Sequence, residues 1–227
     1  MSQQFHQAVQ AILAMGYYRN EAARSGLSDP GHERAVAQEL DRAGFTAEIK
    51  GHYPALTRSL LKKWARTGQV GPIGSALQAM PEGTYIVQPG GSQAFPDILV
   101  RDFGGRFVAV ECKSGKSGTC PMWNDRLPSR DAVYILSSGR HDATTVFLGR
   151  DIITPKEIQI QEDLLRDLLA VMAQYRARSQ AADRYKRGWH FKFRPQNFQG
   201  GGQHLSDYFL HQDRGRCEKN VLDFSGL

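Results

Sequence analysis

Apolar residues recur along the first part of the chain at helical spacing. Phe5, Val9, Ile12 and Leu13 predict an amphipathic helix over residues 3–15. Ser28 or Asp29 before Pro30 has the form of a helix start, and GHERAVAQELDRAGF reads as a second helix closed by Gly44. Val36, Leu40 and Ala43 form its apolar stripe. Glu33 leads that stripe, whereas Glu39 falls on its flank. PALTRSLLKKWAR, at 54–66, reads as a short helix with a basic side. The Gly- and Pro-punctuated TGQVGPIGSALQAMPEG reads as a loop with room for one helical turn.

The period then shortens to that of strands. Thr84–Gln88, Asp97–Val100 and Arg106–Cys112 are strand-like runs, the last two joined by the hairpin turn RDFGG. DAVYILSS and TTVFLG predict two more strands around GRHDA. A long helix follows over about 155–178, with Ile160, Leu164, Leu165, Leu168, Met172 and Tyr175 on one side. WHFKFR alternates aromatic with basic residues, and the Gly-rich tail from Gln199 reads as loop. This order predicts an α/β fold in one domain over 1–227.

Composition narrows the class. At 227 residues and 41% hydrophobic, the chain can bury a core that needs no staples. No apolar run approaches the roughly 20 residues that span a bilayer, so no membrane segment is expected. The first residues lack the basic region of a signal peptide. Cys112, Cys120 and Cys217 are odd in number and lack zinc-site spacing, which points to a reducing, cytoplasmic setting. The net charge of +6 is local: Arg176–Arg194 holds seven basic residues against Asp183 alone. A polyanion partner is one meaning of such a run, and a solvated basic helix end is the commoner one.

The sharpest chemical feature is FPDILV followed, after the hairpin turn, by FVAVECKSG. Strand alternation sends Glu111 and Lys113 to one face and Cys112 to the other. Pairing across the hairpin brings Asp97 beside Glu111. Two carboxylates in a water-poor site require a cation, and hard oxygen ligands with open positions suit Mg²⁺. FVAVEC is apolar on both faces, as a buried central strand is, and a charge pair ending such a strand is costly without a role. A surface hairpin with a solvated Glu111–Lys113 pair is the plainer alternative.

Pro96-Asp97, thirteen intervening residues and Glu111-Cys112-Lys113 together resemble the signature of the PD-(D/E)xK nucleases, and small type II restriction endonucleases in particular. The resemblance covers residues 30–150, and the polar, Pro-broken loop GTCPMWNDRLPSRDAVYILSS adds to it. It implies a restriction-endonuclease-like core, a central mixed β-sheet flanked by α-helices. It also implies that Asp97, Glu111 and the Cys112 carbonyl hold Mg²⁺, that Lys113 handles the attacking water and phosphate charge, and that Glu33 completes or adjusts the metal shell. Glu33 is equally what the macrodipole favours in a first helical turn.

The partners implied are double-stranded DNA, a second copy of the chain and a companion DNA methyltransferase. Candidate DNA contacts fall in two segments. Lys116, Asn124, Asp125, Arg126 and Arg130 follow the motif in a loop able to meet base edges. Arg184, Lys186, Arg187, His190, Lys192 and Arg194 supply a basic stretch for phosphates. Both segments also read as solvated surface. A structure-specific repair nuclease or junction resolvase keeps the same core with a different substrate, and a DNA-binding module without catalysis is the third reading. The seven histidines form no HExxH or HNH-like cluster, and no phosphate loop is present.

Overall fold

The computed structural model describes residues 2–24, 31–67, 71–92, 94–115, 121, 123–124, 127–188, 196–197 and 207–224. A six-stranded mixed sheet lies between two layers of helices, which makes the fold α/β. Its strands are β1 (Thr46–Ala47), β2 (Thr84–Val87), β3 (Ile98–Arg101), β4 (Phe107–Gly115), β6 (Val133–Ser138) and β7 (Ala143–Leu148), in that spatial order. The β2–β3–β4 meander is antiparallel, β6 joins β4 in parallel, and the β6–β7 hairpin closes that side.

The strand alternation legible in the sequence builds a separate core on each face. Val108 and Val110 of β4 point to one side with Ile98, Val100, Val133 and Ile135. There they meet α1 (Gln3–Ala14), α3 (His32–Arg42) and α8 (Arg214–Leu222). Phe107 and Ala109 point to the other side with Leu99, Tyr134 and Leu136. That face is covered by α4 (Arg58–Thr67) and α5 (Gly71–Ala76). β4, paired on both edges and apolar on both faces, is the central strand that its composition predicts.

Several elements depart from the sequence reading. The helix closed by Gly44, at φ +93°, starts behind Gly31 as N-cap, and the expected start at Ser28–Pro30 lies outside the described residues. α2 (Tyr18–Arg24) is an added helix. The tail beyond Gln199, expected as loop, contains α8, whose Val221 is fully buried. The long helix, α7 (Pro155–Ala182), forms where it was expected, with Thr154 and Glu157 in a reciprocal capping box, yet none of its residues is buried. α6 (Gly149–Ile152) links β7 to it. A two-residue ladder, β5 (Trp123–Asn124) with β8 (Gln196–Asn197), stands apart from the main sheet. The aromatic–basic run at 189–194 lies outside the described residues. Among the described residues, no helix is long and apolar enough to cross a membrane.

Candidate active site

The β3–β4 register fixes the geometry of the acidic pair. Ile98 opposes Val110, so Asp97, one residue before β3, falls opposite Glu111. A cis Phe95–Pro96 peptide precedes Asp97, whose carbonyl accepts from the Gln88 N–H at 2.6 Å. Its Oδ2 accepts from the backbone N–H of Cys112 at 2.8 Å, which ties the carboxylate to the end of β4. Glu111 and Lys113 share the face that carries Ala109. The Lys113 Nζ donates to Glu111 Oε1 at 2.8 Å, with the two side chains only 20% and 14% exposed.

An aromatic wall encloses this group. Lys113 Nζ sits 5.9 Å from the Trp123 ring centre, within cation–π range. Trp123 meets Tyr134 edge-on, and Tyr134, the register partner of Glu111 on β6, stacks on Phe147. The Tyr134 hydroxyl accepts from the Ser129 N–H at 2.8 Å, holding the loop that returns to β6.

The electrostatics follow from that enclosure. Burial and the neighbouring Glu111 charge raise the Asp97 carboxyl to about 7, with Glu33 adding to the rise. The Cys112 N–H and Lys113 pull the other way. The Cys112 thiol is pushed far up, first by burial and then by Asp97, Glu111 and Glu33. Glu33 thus acts on the site through its charge from the first turn of α3. Glu39, expected on the helix flank, is instead buried, and its carboxylate is engaged by Arg42.

The donor set fits a small hard cation. Among the described residues Glu111 Oε2 is buried without a hydrogen-bond partner, an orphaned oxygen on the residue that lies opposite Asp97 in the ladder. A metal would satisfy both at once. Among the described residues no three His, Cys, Asp or Glu side chains converge at ligand distance. Two carboxylates with a backbone carbonyl and waters are nonetheless sufficient for Mg²⁺. Asp97 and Glu111, with the Cys112 carbonyl, are the residues that could hold it.

The expected DNA contacts fall only partly within the described residues. Lys116, Asp125, Arg126, His190, Lys192 and Arg194 lie outside the described residues, and of Asn124 only the backbone is described. Arg130 is exposed beside α6, its carbonyl accepting from the Arg150 N–H. Arg184, Lys186 and Arg187 are exposed beyond the end of α7, with Arg184 and Arg187 flanking the Tyr185 ring. The structure therefore brings together Asp97, Glu111, Cys112 and Lys113, with the Glu33 charge acting on them. Trp123 and Tyr134 were missed by sequence reasoning. The two-residue alternation that put Glu111 and Lys113 on one face extends to Tyr134 and Leu136 only once the β4–β6 register is known.

Compared with models of known families, with curated proteins and with solved structures, the chain has no match.

Proposed function

We propose that the chain is a Mg²⁺-dependent endonuclease that hydrolyses phosphodiesters of double-stranded DNA, with the character of a type II restriction endonuclease. The observation that carries this reading is the Asp97–Glu111 pair beside Lys113, with Glu111 Oε2 buried and without a partner among the described residues. The six-stranded mixed sheet, with its antiparallel meander leading into the motif strand, agrees with the restriction-endonuclease-like core that the motif resembles.

When bound, Mg²⁺ would neutralise phosphate charge and make a coordinated water more acidic. The chain's own residues do the rest. Asp97 and Glu111 provide anionic oxygens from two adjacent strands, so neither needs to move to meet the other. Lys113 is held by Glu111 and Trp123, which leaves its ammonium aimed at the same small volume. There it can orient the attacking water and offset charge developing on the non-bridging phosphate oxygens. Glu33 adds negative charge to the surroundings of Asp97 and favours a cation over an anion at the site. Arg130 is a proposed base-edge contact, and Arg184, Lys186 and Arg187 are proposed phosphate contacts. Two copies about a two-fold axis would cut both strands of a palindrome, with a companion methyltransferase sparing host DNA.

The test is cleavage of mixed-sequence plasmid DNA with Mg²⁺, repeated with EDTA and with Asp97→Ala. Discrete fragments that vanish in both controls are expected. Cuts confined to branched DNA would transfer the site to a repair nuclease, and binding without metal-dependent cleavage would remove the enzyme reading.

A further inference from the structure

α7 is the longest helix, 28 residues, and no residue of it is buried. At 1.5 Å per residue it extends about 42 Å. Its sequence is not that of a helix meant for water all round. Ile160, Leu164, Leu168, Val171 and Tyr175 are 37% to 55% exposed. Their spacings of four, four, three and four gather them into a stripe about 80° wide at helical pitch. Glu157 precedes this stripe and Arg178 continues it. The stripe is self-complementary when one helix is reversed against another. Ile160 then faces Tyr175, Leu164 faces Val171, Glu157 faces Arg178, and Leu168 lies beside the midpoint.

Charge gives the same direction. Residues 155–168 carry Glu157, Glu162, Asp163 and Asp167 against Lys156 and Arg166, whereas 169–182 carry only Arg176 and Arg178. Reversed helices set the acidic half on the basic half; parallel ones set like on like. Near the midpoint, Asp163 and Asp167 are already held by Arg166 at 2.7 and 3.6 Å, which blunts their repulsion across the axis.

We infer that α7 is a dimerisation helix that pairs antiparallel with α7 of a second copy of this chain. The pairing takes up the two-copy arrangement of the nuclease reading but stands on α7 alone, since it uses no residue of the acidic site. Loss of cleavage would leave it untouched.

Sedimentation of the full chain, without metal or DNA, tests it. The wild type is expected at twice the 25.4 kDa of one chain. Leu164→Glu with Leu168→Glu should raise the dimer dissociation constant by roughly 30-fold or more. It should still melt in one cooperative transition, because neither side chain is part of the core, and its Tm should lose the dependence on chain concentration that the wild type shows. Direction is read by cross-linking Ile160→Cys and Tyr175→Cys chains: the mixture should form the mixed disulfide, and neither variant alone should form more than the wild type. A wild type that stays monomeric up to on the order of 100 μM would overturn the inference. So would a dimer indifferent to the glutamates, or Ile160→Cys linking to itself. If the glutamate variant fails to fold, the cysteine pair still decides.

Discussion

Asp97 and Glu111 oppose one another across the β3–β4 ladder, and without a bound cation their repulsion works against folding. Asp97→Asn keeps an oxygen to accept from the Cys112 N–H and removes one of the two charges. It should abolish Mg²⁺-dependent cleavage, by roughly 10²-fold or more. In EDTA it should stabilise the chain by about 1–2 kcal/mol, a rise of several degrees in Tm by calorimetry. A melting point unchanged or lowered would mean that the pair is not strained. His32 has the opposite dependence on protons. Its ring is buried, stacked on Tyr18 at 5.1 Å, and neither nitrogen has a hydrogen-bond partner among the described residues. Burial lowers its pKa from 6.5 to about 4. The unfolded chain therefore takes up a proton below 6.5 that the folded chain refuses until about 4, and stability is lost as pH falls through that window. His32→Phe keeps the stacking and cannot titrate. Its stability advantage over the wild type should widen by about 2 kcal/mol between pH 7.5 and pH 5 in urea titrations. A gap that does not change with pH would mean that the ring finds a proton acceptor.

At the scale of elements, legibility tracked local periodicity. β2, β3, β4, β6 and β7 lie within a residue or a few of their expected bounds, because alternation and turn residues are local signals. Asp97, Glu111 and Lys113 converge for the same reason, through a tight hairpin with little freedom of register. α8 was hidden because RGRCEKNVL carries few apolar residues, and its burial of Val221 depends on α1 and β7, which are distant in sequence. α7 shows the reverse failure: its apolar side was plain, but nothing local tells a stripe facing the chain's own core from one facing outward. Trp123, too, reaches Lys113 through tertiary placement alone. The junction of β7 and α6 is one place where an element boundary is set by close backbone approach. A Cβ on Gly149 would fall 2.0 Å from the Ser129 carbonyl oxygen, and backbone cannot swing aside as a side chain can. Gly149→Ala should cost about 3 kcal/mol, seen as a lower denaturant midpoint at unchanged m-value. A midpoint within error of the wild type would show that this loop yields freely.

At the scale of the whole molecule, an enclosed acidic group and an exposed basic run are the two charged features of the described residues. The acidic group is enclosed at the end of the central strand, while Arg184, Lys186 and Arg187 stand in solvent past the end of α7. If the latter hold phosphates, Arg184→Ala with Arg187→Ala should weaken DNA binding on all sequences and flatten the salt dependence of log Kd by about 2. An unchanged slope would make that segment a solvated face. The central strand itself has a further consequence. β4 gives Val108, Val110 and Cys112 to one core, and Phe107, Ala109, Glu111 and Lys113 to the other face. Gaining or losing a single residue within it would exchange the two sets, turning the carboxylate into one core and a valine into the site. Lineages carrying this chain can therefore explore the strand by substitution, but a change of its length by one would forfeit the core and the acidic pair in the same generation.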